Sequence, residues 1–297
     1  MKKFLAFAAI ILVVFLAACG TSNSDNNQNG AINDNQQGDN NEENNNEANN
    51  DANVEVKIGA SSTPHAEILE EAKPLLEEKG ISLIIEEYTD YVLPNDDLAS
   101  GDLDANFFQH DPFLKQTVKD TGYELENIGA IHIEPMGIYS QTLTNLDEIE
   151  DGTEVLLSNS VSDHGRILAL IESGGLITLD ETVDKSNATI DDIVDNPKNL
   201  TFSPDYEPAF LPELYHSETD VLLAINTNYA IDADLNPVED ALIIEGGKSL
   251  YGNIIAVRSE DKDNETLKTV VEVLQSEEIQ NFINEKYDGA VIPFTEE

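Results

Sequence analysis

Residues 104–114 read Asp-Ala-Asn-Phe-Phe-Gln-His-Asp-Pro-Phe-Leu and set apolar rings, two amides and an imidazole side by side. If 105–110 is extended, its side chains alternate between two faces. Asn106, Phe108 and His110 then share one face, and Ala105, Phe107 and Gln109 share the other. One face can pack into a core while the other lines a cleft. Pro112 permits a helix to start directly afterwards, because its missing N–H is not needed in a first helical turn. A buried strand running into a helix, with His110 as a hydrogen-bonded core residue, fits the same spacing. The rest of the chain has to separate these readings.

Other reactive groups are few in kind. His65, His110, His132, His164 and His216 could supply a base, and serines are plentiful. No Gly-x-Ser-x-Gly elbow and no His-Glu-x-x-His stands in the sequence, and acids are too abundant for any pair of them to be informative. A zinc or manganese site would need histidines and an acid to converge from distant positions, because no local metal spacing is present. No Gly-rich phosphate loop appears; Gly174-Gly175 and Gly246-Gly247 read as helix ends and turns. An enzyme is therefore not expected, and no cofactor or resident metal is implied. The net charge of -44 argues against nucleic acid or an anionic lipid surface as a partner.

The elements that must position these groups begin late. Lys2 and Lys3 precede an apolar run, 4–18, that is too short for an ordinary membrane span. It ends in Leu16-Ala17-Ala18-Cys19-Gly20, which resembles the lipobox of bacterial lipoproteins. That resemblance implies removal of a signal peptide, 1–18, with lipid on the sulfur of Cys19 and acylation of its new amino group. Cys19 is the only cysteine, so no intramolecular disulfide can form. Residues 19–53 then read as the lipidated cysteine followed by an acidic, Asn-rich tether. Such a composition cannot bury enough apolar surface to offset its ordering entropy. Its reach is on the order of 30 Å or more.

From 54 to 297 the pattern is globular. Strands are expected at 54–60, 81–88, 154–158, 199–202, 221–225, 241–245 and 253–257, with a long extended segment at 127–140. Helices are expected from Thr63, as cap, to Gly80, with a kink or split at Pro74, and at 94–100, 112–120 and 163–173. One long helix is expected over 264–286, where Leu267, Val270, Val271 and Leu274 have helical spacing. Alternating strands and helices predict an α/β protein with mainly parallel sheets. The length predicts two lobes.

Several short motifs then carry a resemblance. They are Asp90-Tyr91-Val92-Leu93-Pro94-Asn95, residues 101–110, Gly122-Tyr123, Pro135-Met136-Gly137-Ile138-Tyr139-Ser140 and Gly165-Arg166. Asn196-Pro197-Lys198-Asn199-Leu200, Ile225-Asn226-Thr227-Asn228-Tyr229-Ala230 and Tyr251-Gly252-Asn253 follow. In order and spacing this set resembles the NlpA/MetQ family of methionine-binding lipoproteins from about 54 to 293. The resemblance implies a type II periplasmic-binding-protein fold, in which two α/β lobes close over a ligand cleft and two crossing segments form the hinge. Lobe I would take about 54–135 and 241–297, and lobe II about 136–240.

It further implies an extracytoplasmic receptor, lipid-anchored at the cell membrane, that delivers methionine to an ABC permease and its ATPase subunit as separate partners. Tyr91, Phe108 and His110 match the residues around the methionine side chain. Arg166 matches the residue that holds the ligand carboxylate, and Asn226 and Asn253 match amides at its polar end. One position departs from the pattern. Many members carry Thr-Asn or Ser-Asn before x-Gly-Arg, whereas this chain has Ser162-Asp163-His164-Gly165-Arg166. Asp163 can only accept hydrogen bonds, so it would serve the ligand ammonium or cap a helix. A methionine-containing dipeptide, another amino acid, or a divalent-metal-binding lipoprotein remain as alternative readings.

The anchor is tested by Cys19→Ala. We expect this variant to be released from the membrane or to keep its signal uncleaved, read by fractionation and by the mass of the processed chain. Unchanged processing and retention would contradict the lipobox reading.

Overall fold

The computed structural model describes residues 53–247 and 250–295. The signal residues, Cys19 and the Asn-rich stretch lie outside the described residues.

Strands β1 (Val54–Ser61) and β2 (Ile81–Tyr88) run parallel and are joined by α1 (Glu67–Glu77), whose Ile68, Leu69, Ala72 and Leu76 form a buried helical stripe. Helix α2 (Leu93–Ser100) leads into β3 (Ala105–His110), which is parallel to β1. Helix α3 (Asp111–Thr121) leads into β4 (Leu125–Ile133). The chain then leaves this sheet and builds a second one.

That excursion contains β5 (Gly137–Tyr139), β6 (Glu154–Ser158), α4 (Val161–Ser173) and a small antiparallel pair, β7 (Thr178–Leu179) with β8 (Ile193–Asp195). It continues through β9 (Thr201–Tyr206), α5 (Leu211–Ser217), β10 (Val221–Ile225), α6 (Thr227–Asp232), α7 (Pro237–Asp240) and β11 (Ile243–Ile244). The chain returns to the first sheet as β12 (Gly252–Arg258), followed by α8 (Glu265–Leu274), α9 (Glu277–Tyr287) and β13 (Ile292–Pro293).

The first sheet has the order β13-β4-β12-β3-β1-β2 and the second β11-β5-β10-β6-β9. Each is covered on both faces. In the first lobe Ile58, Phe107, Leu69 and Val270 lie in one core and Leu98, Leu103, Leu114 and Ile254 in another. In the second, Val155, Ile167, Leu168 and Leu222 form one core and Tyr139, Leu156, Leu211 and Ile225 the other. Two α/β lobes with a returning strand between the third and fourth strands of the first sheet make the type II periplasmic-binding-protein fold.

The structure departs from the sequence reading at several points. The sheets are mixed rather than mainly parallel: β12 is antiparallel to both β3 and β4, and β5 is antiparallel to β10. A strand that arrives from the other lobe needs no crossover helix on the sheet face, so nothing obliges it to run parallel. Strand β11 pairs with β5, so the second crossing falls after Ile244 instead of near 241. Thr63 is extended (φ −124°, ψ 134°), as a residue before proline prefers, and regular helix starts past it at Glu67. Pro74 does not split α1, which runs on to Glu77. The helix expected over 264–286 breaks at Gln275 and Ser276, where extended Ser276 stands at the start of α9 ahead of Glu277 and Glu278.

Phe107 is fully buried in the core under α1, as the alternation of 105–110 predicts. Phe107→Ala should therefore destabilise the fold by about 3–5 kcal/mol, measured from the shift in denaturant midpoint.

Candidate functional site

Strand β3 is buried at every residue and delivers its last side chain straight into the start of α3. His110 caps that helix: its Nδ1 accepts the Phe113 N–H at 3.1 Å. Nε2 therefore carries the hydrogen and donates it to Asp163 Oδ1 at 2.9 Å, on the other lobe. Phe108, Phe113 and Tyr91 gather their rings at centroid distances of 5.8–5.9 Å, and Tyr91 packs 5.0 Å from Tyr229. The Tyr91 hydroxyl donates to Asn228 Oδ1 and makes a second bridge between lobes.

The facing of the remaining strand residues differs from simple alternation. The β3–β12 register steps from Gln109 to Phe107 and skips Phe108, a bulge that adds one residue to β3. Gln109 is thereby brought to Asn106 instead of Phe107. Its Nε2 donates to Asn106 Oδ1 and Asn95 Oδ1, and Asn106 Nδ2 donates to Asn95 Oδ1 and Pro94 O. This buried amide knot fastens α2, and the Tyr91 loop ahead of it, to the strand.

In the second lobe Asp163 and Arg166 lie three residues apart on α4 and are both buried. Between them Gly165 makes the packing possible, since a Cβ there would come within 2.5 Å of the Lys185 and Ser186 carbonyl oxygens. The Arg166 guanidinium lies over the Tyr251 ring, 4.4 Å from its centroid. Its Nε and Nη2 donate to the Glu245 carboxylate, Nη2 also reaches Glu134 O at 2.6 Å, and Nη1 stands 3.9 Å from Asp163 Oδ1. Asp163 does not cap α4. Asn226 donates to its Oδ2 at 3.3 Å, across from His110. Burial pushes the Asp163 carboxyl up, but His110, Arg166 and Asn226 together outweigh burial and bring it down to about 2.

All seven residues singled out in the sequence, Tyr91, Phe108, His110, Asp163, Arg166, Asn226 and Asn253, line one cavity between the lobes. Its empty space is about 400 Å³, part of it open to solvent. Phe113, Met136 and Glu134 line it as well and were not anticipated. Met136 and Glu134 flank Pro135 in the segment that crosses between β4 and β5.

Glu134 has an unusual setting. Its Oε1 lies 2.8 Å from His132 Nε2 and 3.2 Å from His65 Nε2, and its Oε2 accepts the Asn228 N–H at 3.0 Å. His65 Nε2 also lies 3.1 Å from Asn253 Oδ1, so this nitrogen is a donor. Burial lowers His65 to about 4 and His132 to about 3, so both rings are neutral near pH 7. Two histidines and one acid thus converge, although nothing in their spacing announced it. The group is poorly suited to a metal. Nε2 ligation would place the ring hydrogen on each Nδ1, and a metal-bound imidazole normally donates that hydrogen. Both Nδ1 atoms are buried without a hydrogen-bond partner among the described residues. With Nε2–H donating to Glu134, each Nδ1 is only an unused acceptor.

This architecture has relatives. The NlpA lipoprotein family profile matches residues 56–295. The chain is 42% identical over 297 residues to the methionine-binding lipoprotein MetQ of Bacillus subtilis (strain 168), covering 99% of each chain. The chain belongs to the NlpA lipoprotein family.

A crystal structure of a pheromone cOB1 precursor/lipoprotein of the YaeC family from Enterococcus faecalis V583 superposes with a TM-score of 0.80 at 50% identity, covering 81% of this chain and all of that one. A nutrient binding protein from Burkholderia cenocepacia, bound to methionine, gives a TM-score of 0.76 at 36% identity over 81% of this chain and 100% of its own. All seven residues singled out in the sequence fall within the NlpA lipoprotein match, whereas Cys19 precedes it.

The histidines make acid stability testable. Between about pH 6.5 and pH 4 the unfolded chain takes up protons at His65 and His132 that the folded chain refuses. Stability is therefore full above this window and falls as pH drops through it. The expected slope is about 1 kcal/mol per pH unit for each histidine. Burial raises the Glu134 carboxyl, which acts in the opposite sense and offsets part of the loss. Denaturant midpoints at pH 7, 6 and 5 should give a shallower slope for His132→Gln than for the unaltered chain.

Proposed function

We propose that this chain is a lipid-anchored receptor on the extracytoplasmic face of the cell membrane. It binds methionine between its lobes and delivers it to an ABC permease driven by a separate ATPase subunit. Cys19 is the lipidated residue, and residues 20–53 are the tether. No step requires covalent chemistry, so the protein is a receptor and not an enzyme.

The observation that carries this reading is the polarity of the cavity. One end is a cluster of three rings, Tyr91, Phe108 and Phe113. The other holds the Arg166 guanidinium with Asn226 and Asn253. A thioether side chain gains from contact with aromatic rings. A guanidinium pairs with a carboxylate through charge-assisted hydrogen bonds. Glu245 and Glu134 O hold one edge of the guanidinium, which keeps its plane fixed and leaves Nη1 for the ligand. His110 closes the wall between the two ends and ties the lobes together through Asp163.

Methionine should stabilise the refolded full-length chain by about 2.7 kcal/mol at a hundredfold excess over its dissociation constant, read by thermal or chemical denaturation. Unfolding and refolding beforehand removes carried-over ligand. Phe108→Ala should weaken binding at least tenfold while leaving the denaturant midpoint nearer to the parent than Phe107→Ala does. Strong stabilisation by zinc, with none by methionine, another amino acid or a methionine dipeptide, would overturn the receptor reading.

A further inference from the structure

At its aromatic end the cavity between the lobes stops at a wall one ring thick. A second pocket lies behind that wall, and Tyr91 and Phe113 line both spaces. The outer pocket has about 730 Å³ of empty space, partly open to solvent, against about 400 Å³ for the inner one. Phe108 lines the inner cavity alone and is 4% exposed, whereas Tyr91 and Phe113 are half-buried, as rings with space on two sides are. Both lobes build the outer pocket. Val92 and Gln116 come from the first, and Val161, Pro208 and Tyr229 from the second. Asp90, Asp120 and Glu207 add three carboxylates, and no lysine or arginine lines it among the described residues. Asp90 accepts from the Val92 and Leu93 N–H groups, Asp120 from Gln116 and Glu207 from Asn159, and all these donors are neutral. Such a chamber accepts a neutral or cationic group and repels an anion.

The two wall residues are held differently. Phe113 belongs to α3, and its N–H is fixed by His110 Nδ1 at 3.1 Å. Tyr91 stands between β2 and α2, in neither strand nor helix. Its backbone is anchored on either side: Asp90 Oδ1 caps the start of α2, and the Tyr229 hydroxyl donates to Thr89 O. The Tyr91 ring itself is held by its hydroxyl, 2.5 Å from Asn228 Oδ1, and by contact with neighbouring rings. Turning the ring aside gives up that hydrogen bond, which costs about tenfold in affinity. Each methylene buried beyond the wall returns about fourfold. Three methylenes therefore more than offset the lost bond.

We infer that the outer pocket is a second ligand site, which takes the substituent on sulfur of S-substituted homocysteines longer than methionine, and that Tyr91 is the partition that turns aside to admit it. The substituent is neutral or cationic. This inference rests on the amino-acid receptor reading and concerns a part of the ligand that methionine, with only a methyl group on its sulfur, does not have.

The test uses the refolded full-length chain and three probes titrated by calorimetry: L-methionine, S-butyl-L-homocysteine and S-(3-carboxypropyl)-L-homocysteine. The unaltered chain should bind the butyl compound within about tenfold of methionine, and the carboxypropyl compound at least about tenfold more weakly than the butyl one. Ala209 is exposed and lines the outer pocket alone. Ala209→Trp should fill that pocket, weaken the butyl compound at least about tenfold and leave methionine unchanged. Tyr91→Phe removes the bond to Asn228 and should shift the affinity ratio towards the butyl compound by about fivefold. Methionine failing to bind the unaltered chain would remove the receptor reading and this inference with it. Methionine binding with the butyl compound rejected by more than about 100-fold, as in a pocket that ends at the rings, would remove this inference alone. Equal binding of the butyl and carboxypropyl compounds would place the substituent in bulk water and overturn it as well. So would an unchanged butyl affinity in Ala209→Trp. A Tyr91→Phe variant that alters both affinities alike would refute the role of Tyr91 as the partition. If Ala209→Trp loses methionine too, the comparison of the two longer probes on the unaltered chain decides the matter.

Discussion

One guanidinium holds the two crossings together. Arg166 stands on α4 of the second lobe, yet it reaches Glu134 O on the first crossing and the Glu245 carboxylate just past β11, where the chain leaves the second sheet. Tyr251 covers its face. Gly165 allows this, because only a residue without a Cβ lets α4 press against the Lys185 and Ser186 carbonyls and carry Arg166 to that depth. The crossings are thereby fastened to the second lobe. Contacts between the lobes elsewhere are lighter, among them Ser62 to Asp232, Tyr91 to Asn228, His110 to Asp163 and Tyr229 to the Thr89 carbonyl. A separation of the lobes would break these and keep the arginine's bonds.

Electrostatics in the cavity follow from which groups are allowed to be charged. His110 accepts from a helix N–H at one nitrogen and donates at the other, so its tautomer is fixed by the backbone of α3. His65 and His132 are kept neutral by burial and act as plain donors. The site therefore contains imidazoles whose orientation matters more than their charge. Tyr91 shows the same economy: its ring faces the other aromatics while its hydroxyl reaches Asn228.

What could be read from the sequence was whatever sits in short, dense motifs. Tyr91, Phe108, His110 and the Gly165-Arg166 pair are legible because their neighbours are distinctive, and the strand ending at His110 followed from alternation and Pro112. Glu134 was not legible. It is one of 59 acidic residues, and the histidines that mark it out lie at 65 and 132, on different elements. The bulge at Phe108 was equally hidden, because an extra residue in a strand depends on its partner, and β12 is far away in sequence. The break at Ser276 had a local signal, a serine followed by two glutamates, which the continuous apolar stripe on either side outweighed. The direction of the strands was misjudged because alternation of strand and helix says nothing about how a chain re-enters a sheet.

The place of β12 sets the order in which the molecule can be assembled. It is almost the last strand made, yet it lies in the interior of the first sheet, between β3 and β4. Until residues 252–258 are available, β4 has no neighbour linking it to β1, β2 and β3, and that lobe stays in two pieces. The second sheet uses only the unbroken span from β5 to β11 and carries no such dependence. A ribosome releasing this chain from its N-terminus thus delivers a first lobe that waits and a second that can finish first.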